Sequence, residues 1–176
     1  MTTFAVRAAR PDDAFALVYL VNEIAVDDNT LGIDRFPLAP EDEANFLGGA
    51  DPLVYLTLVA VTEPTGHLIG VLTASRGVDQ KLQHVSALAI AVGRAARRQG
   101  VGLALLAGYF AWADQVGVQK CTLSVLAHNA PAIQLFERSG FVPEARRQGQ
   151  FRIDGRLVDE ILMARWLTRE GTLHAV

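Results

Sequence analysis

The sequence predicts an α/β domain of about seven strands and about four helices, and three observations carry that reading. The 176 residues are enough for one domain with a single good core. Hydrophobic residues make up 51 % and charged residues 20 %, the balance of an ordinary globular domain. Strand-like alternation and helical periodicity follow one another in the order β-α-(α)-β-β-β-α-β-α-β-β, with no linker, repeat or low-complexity tract. Residues 1–176 are therefore expected to form a single domain, with a frayed tail over 167–176.

"FAVRAAR" (Phe4–Arg10) reads as a first strand, and Pro11 with Asp12 and Asp13 opens the helix "DDAFALVYLVNEIAV". From Asp27 to Gly49 the pattern loosens into loop and a short helix starting near "PEDEANFL". Strands follow over Leu53–Val61 and His67–Arg76, joined by "TEPTG", whose Pro and Gly suit a hairpin connection. In the next strand, His84–Val92, Leu88, Ile90 and Val92 point one way and Ala87, Ala89 and Ala91 the other. A helix of about four turns runs from Val101 to Val116. "KCTLSVL" is a further strand, and "NAPAIQLFERSG" a helix with Asn129 as N-cap, Pro131 in its first turn and Gly140 just past its end. Phe141–Trp166 gives two strands around Asp154–Gly155, a hairpin signal.

Composition excludes several classes. A net charge of −3 argues against bulk nucleic-acid binding. The lone Cys121 excludes an internal disulfide, fits a reducing compartment and reads as core. No charged head followed by an apolar run opens the chain, and the longest nearly apolar run, Leu53–Val61, is too short to span a bilayer. A cytoplasmic protein without a membrane partner is expected.

"AVGRAARRQGVGLALLAGYFAW" (Ala91–Trp112) is the informative stretch. Arg94, Arg97 and Arg98 crowd the positive end of a helix dipole, where stability alone favours acids, so an anion is expected there. Gly100 and Gly102 give such an anion close access to the backbone. It is not a P-loop, because no GxxxxGK[ST] exists. A dinucleotide fingerprint also fails: Leu105 stands at the third glycine position, and "CTLSVLAH" offers no acid for a ribose.

"RRQGVG" (Arg97–Gly102) resembles the R/Q-x-x-G-x-G/A pyrophosphate-binding motif of the GNAT superfamily of acyl-CoA N-acyltransferases. "NAPAIQLFERSGF" (Asn129–Phe141) is similar to the N-x-x-A-x-x-L-[YF]-x-x-x-G-F element of that family, one helix and one strand later. "RIDGRLVDEILMARWL" is similar to the last hairpin of a bacterial branch that acetylates amino acids and small amines. The resemblance runs from Phe4 to about Leu167. It implies the GNAT fold, a mixed, mostly antiparallel sheet splayed in the middle, and acetyl-CoA as acyl donor with no metal.

Residue by residue, the resemblance implies that backbone N–H groups of Arg97, Arg98, Gln99, Gly100, Val101 and Gly102 cradle the pyrophosphate. Ala89, Ile90, Ala91 and Val92 would pair with the pantetheine arm, with an N–H near Ala89–Ala91 polarising the acetyl carbonyl. Asn129 would touch the cofactor as well as cap its helix. Phe136 occupies the position where many members carry the Tyr that protonates the departing sulfur, so the hydroxyl is absent here.

Acetyl transfer to an amine needs a neutral amine, a stabilised oxyanion and protonation of the thiolate. Candidates for the base are Glu23, Asp27, His84, His128 and Glu160, with Glu23 and Asp27 four apart on one helix face. Of Asp159 and Glu160, which alternate on a strand, one should face outward or into the cleft. The acids Glu23, Asp27, Asp28 and Asp34 would attract a cationic amine. The expected activity is N-acetylation of a small molecule or amino acid by direct attack in a ternary complex. A protein N-terminus as acceptor, and a non-catalytic acyl-CoA-binding module, are the alternatives. A homodimer through terminal strands is plausible for such a fold.

Overall fold

The computed structural model describes residues 3–28 and 30–167, so the expected frayed tail lies, from residue 168 on, outside the described residues. The chain forms β1 (Phe4–Ala8), α1 (Ala14–Asp28), α2 (Pro40–Gly49), β2 (Tyr55–Thr62), β3 (Leu68–Arg76), β4 (Val85–Val92), α3 (Val101–Gln115), β5 (Lys120–Leu126), α4 (Ala130–Arg138), β6 (Val142–Ile153) and β7 (Arg156–Trp166). This is the expected order, and differences are confined to element ends. β2 starts two residues late because Asp51 Oδ1 accepts from Leu53 N–H (2.9 Å) and its carbonyl from Val54 N–H (3.0 Å), which holds that segment in a turn. β1 stops early because Arg10 N–H turns back onto Asp13 Oδ2 (2.7 Å), closing the cap of the following 3-10 turn. At the last hairpin Asp154 (φ 49°) and Gly155 (φ 77°) are both left-handed, as a two-residue turn between twisted strands requires.

The seven strands make one sheet in the order β1-β2-β3-β4-β5-β7-β6, antiparallel except where β4 meets β5. Period-two alternation splits its apolar residues between two layers. Val59, Val61 and Val71 face α1, which offers Leu17, Leu20, Val21 and Ile24 at helical spacing. Leu58, Ala60, Leu72, Ala74 and Leu88 face the other way, into the larger core with Leu105, Leu106, Tyr109 and Trp112 of α3. No helix among the described residues is long and apolar enough to cross a membrane.

The sheet is not continuous at its centre. β4 pairs with β3 from Ser86 to Val92, and β5 pairs with β7 along its whole length. Between β4 and β5 the pairing covers Val85–Ala87 against Lys120–Thr122 and then stops. Each half of the sheet is held by its own outer partner, so the two central strands diverge and leave a V open toward the C-terminal end of β4.

Where the V closes, the Ser86 and Tyr109 hydroxyls are buried without a hydrogen-bond partner among the described residues, in the same core as Cys121, which pairs with Ser86 across the two strands. Burial pushes the Tyr109 hydroxyl and the Cys121 thiol above their ordinary values. An unpaired buried hydroxyl costs stability, so Tyr109→Phe is expected to raise stability by up to about 1 kcal/mol in urea unfolding. A loss of that size would mean the hydroxyl is well partnered.

Candidate active site

The V opens into a cavity of about 740 Å³. Its floor is written in the strand register: Tyr55, Ser75 and Ala87 lie opposite one another across β2, β3 and β4, as do Thr57, Thr73 and Ala89, and all six line it. Ala87 and Ala89 are exposed at their positions on β4 because the cavity lies over them. Beyond Ala87, the β4 edge facing β5 has no strand partner, so its backbone groups are available to a ligand lying in the V. Leu123–Leu126 of β5 form the opposite wall, with Ala132 and Phe136 from α4.

At the open end of β4 the chain makes the glycine–arginine turn. Arg98 (φ 63°) and Gly100 (φ 87°) are left-handed, which folds the chain sharply between the end of β4 and the start of α3. The first bond of α3 runs from Ala104 N–H to the Gly100 carbonyl (3.0 Å), so Val101, Gly102 and Leu103 have no helical carbonyl to donate to. No side chain caps this end. A helix N-terminus without cap or acid, preceded by two arginines, is receptive to an anion.

The structure gives the two glycines different reasons. Gly100 needs its positive φ, and a Cβ there would meet nothing within 4 Å, so this side is open. Gly102 faces the protein: a Cβ would lie 2.8 Å from Leu135 Cδ2 of α4. Its lack of a side chain serves helix packing rather than the approach of an anion. The arginines also divide. Arg97 Nε donates to the Val92 carbonyl (3.0 Å), bracing the turn against β4, while Arg98 is exposed. Gln99 folds back onto the Ala95 carbonyl (2.8 Å), and Val101 is buried, so both present only backbone to the turn.

Asn129 caps α4, its Oδ1 accepting from Ala132 N–H (3.3 Å). Its Nδ2 donates to the Thr30 carbonyl (3.2 Å), which ties α4 to the loop between α1 and α2. Asn22 of α1 holds the same loop from the other side, accepting from Phe36 N–H (2.6 Å). Between these tethers the loop walls the cavity with Leu31, Gly32, Ile33 and Phe36. Phe151 of β6 packs so closely on it that a Cβ at Gly32 would lie 2.9 Å from Phe151 Cζ. Phe136 lines the cavity as an almost fully buried ring, edge-on to Phe141 (5.8 Å, 66°).

The predicted acid–base residues are not gathered there. Glu23 is on the exposed side of α1, and His84 sits at the closed end of the V, its carbonyl accepting from Gln119 and Lys120 N–H (2.8 and 2.9 Å). Neither lines the cavity, nor do His128 and Asp34. The side chains of Asp27 and Asp28 lie outside the described residues. Asp159 and Glu160 split as their alternation predicts. Asp159 turns away, held below the usual carboxylate range by Gly149 N–H and then by Arg146. Glu160 is buried, lines the cavity and is paired with Arg147 (2.9 Å).

The acid that sequence reasoning missed is Glu43. It is 2 % exposed, lines the cavity, and its carboxylate makes no hydrogen bond or ion pair among the described residues, although its N–H donates to the Ala39 carbonyl (2.9 Å). Desolvation pushes its carboxyl above the usual value. "PEDEANFL" hides it among helix-starting acids, but its register was a usable signal: Glu43 shares the inward face of α2 with Phe46 and Leu47, where an acid is out of place.

A mixed sheet split between two parallel strands, with an anion-receptive turn at the mouth of the split, defines an acyl-CoA transferase architecture. The Acetyltransferase (GNAT) family model matches residues 19–141, and the chain belongs to that family. Its relatives include a Bacillus subtilis protein named "Putative phosphinothricin acetyltransferase YwnH", 24 % identical over 163 residues, with 92 % of this chain and 98 % of that one covered. Among solved structures, a GNAT-family acetyltransferase from Streptococcus pneumoniae superposes with a TM-score of 0.86 at 25 % identity, covering 94 % of this chain and 99 % of that one. A phosphinothricin acetyltransferase from Sinorhizobium meliloti, solved with acetyl-CoA, gives a TM-score of 0.84 at 22 % identity, covering 97 % of this chain and 91 % of that one. The splayed, mostly antiparallel seven-stranded sheet implied by the resemblance is the one observed.

The two jobs of Asn129 separate by substitution. Asn129→Ala should cost about 1 kcal/mol through the lost cap and speed amide exchange over residues 31–36. Asn129→Asp keeps the cap acceptor and loses the donor to Thr30, so faster exchange in the loop should come without most of that stability loss. Native-state hydrogen exchange with urea unfolding reads both.

Proposed function

We propose that this chain is an acetyl-CoA-dependent N-acetyltransferase that acetylates a primary amine of a small molecule by direct attack in a ternary complex. The observation that carries the reading is the unpaired edge of β4, which runs from Ala87 to the turn before the uncapped N-terminus of α3. The turn suits a pyrophosphate, held by N–H groups of Arg98–Gly102 and the nearby Arg98 charge. The edge over Ala89–Val92 suits the amide-bearing pantetheine arm, as an added strand would. Both parts of the donor thus have a match along one line of backbone. The acetyl-CoA complex of the Sinorhizobium meliloti neighbour and the phosphinothricin named for two relatives support the same reading, with a small-molecule amine as acceptor.

The chemistry asks little of side chains on the donor side. The amine nitrogen forms a bond to the acetyl carbon, the carbon–sulfur bond breaks, one proton of the ammonium leaves before attack and the second ends on the thiolate. An N–H of Ala89–Ala91 would stabilise the oxyanion in between. Phe136 contributes packing and no proton. A thiol of pKa about 8.5 leaves tolerably well as thiolate, so the missing hydroxyl does not forbid the reaction.

The test is CoA release from acetyl-CoA across a panel of amines, with CoA affinity measured by calorimetry. Turnover with at least one amine is expected. CoA binding without turnover on any small amine or N-terminal peptide would leave the non-catalytic module, and turnover confined to peptides would move the acceptor to a protein N-terminus. Gly100→Ala, forced to φ near 87°, should weaken CoA binding about tenfold. An unchanged affinity would remove the turn from the donor site.

A further inference from the structure

The cavity continues past the V, beneath the loop between α1 and α2, and its lining there is aromatic and acidic. Phe36, Phe46, Tyr55 and Phe151 supply four aromatic rings, Phe46 lying edge-on to Tyr55 (5.2 Å, 77°). The charged residues that line it are Glu43 and Glu160. Among the described residues, no Lys, Arg or His lines it anywhere.

The two acids are not equivalent. Glu160 already has a cation, since Arg147 binds its Oε2 from the solvent side. The carboxylate of Glu43, at 2 % exposure, has no partner among the described residues. An unpaired buried carboxylate is expensive unless something supplies a positive charge. The cavity it lines is open to the V, and a cationic solute entering there would supply that charge.

We propose that the acceptor is a cationic amine on an apolar, aromatic-sized body without a carboxylate or other anionic group, and that Glu43 is the counter-charge that selects it. This rests on the acetyltransferase reading and narrows it. An amino acid would bring its α-carboxylate into an apolar chamber containing two acids and no cation. Phosphinothricin would bring a phosphinate as well. Each anion would lose its hydration with no partner to replace it. Burial of the Glu43 carboxyl, which favours its protonated form in the empty protein, is relieved by such an ammonium.

The test compares acceptors that differ in one group, using the full chain with saturating acetyl-CoA and CoA release as readout: phenethylamine, phenylalaninamide, phenylalanine, phosphinothricin and isoamylamine. The uncharged-body amines are expected to be acetylated with kcat/KM at least about a hundredfold above the two acids, on the scale of discrimination a buried unpaired group imposes. Glu43→Gln should raise KM for the amine about tenfold or more and leave KM for acetyl-CoA unchanged, with a melting temperature about 2–4 °C higher because the buried charge is gone. A purely structural carboxylate would instead lower the melting temperature or move both KM values. If Glu43→Gln does not fold, Glu43→Asp keeps the charge one methylene short and reads the same KM split. Phenylalanine or phosphinothricin turned over as well as phenethylamine, or an amine KM indifferent to both variants, overturns the inference while the acetyltransferase reading stands. No turnover with any amine, with CoA still bound, removes both.

Discussion

The short contact between β4 and β5 is the constraint on which the cavity and the open β4 edge depend. Three residues on each strand pair, Val85–Ala87 against Lys120–Thr122, and the ladder then ends. Were the pairing to run on, the sheet would be more stable by several backbone hydrogen bonds and there would be no site. The sheet gives these bonds up because β3 and β7 hold the two halves independently, while α3 packs beneath both as a common support. The open β4 edge, the cavity over Ala87 and Ala89 and the position of the turn at the end of β4 all follow from that interruption.

The second consequence concerns the loop over the V. Without a neighbour it would have little to fold against, and the structure secures it by polar contacts at its ends and one aromatic contact at its middle. Asn22 and Asn129 reach it from α1 and α4, and Phe151 closes on Gly32 from the tip of β6. The chamber beneath is therefore assembled from four distant parts of the chain, none of which forms it alone.

That assembly explains what the sequence could and could not say. Elements were legible because periodicity and capping are local: Asn129 before Pro131, the Asp154–Gly155 turn and the alternation in β4 each declare themselves within a few residues. The glycine–arginine turn was legible too as a local feature, since arginines at a helix N-terminus contradict local stability and so point to something else. The remaining features depend on tertiary contacts. The reason for Gly102 lies in Leu135, and the second bond of Asn129 reaches Thr30, 99 positions away. Glu23 and His84 looked suitable by residue type, but helix rotation and the direction of the V carry them away from the cavity. Glu43 looked like an ordinary helix-starting acid because its burial is decided by how α2 docks.

Glu43 also shows how the site is balanced. Its carboxyl is held above its ordinary value in the folded chain, so the stability it allows is greatest when it is protonated and falls as pH rises through the folded value. At neutral pH the empty protein therefore carries a cost that a glutamine or a leucine would avoid. Evolution of stability alone removes such residues readily. A buried acid persists most easily where a ligand offsets its cost, because the energy recovered on pairing appears as affinity for that ligand and not for its uncharged or anionic analogues. On the proposed reading the donor is recognised mainly by backbone, through the broken ladder and the turn, whereas the acceptor is recognised by a single charge in an aromatic chamber. The first arrangement follows from the fold shared across the family. The second is made by individual side chains, which is where acceptor choice should be sought.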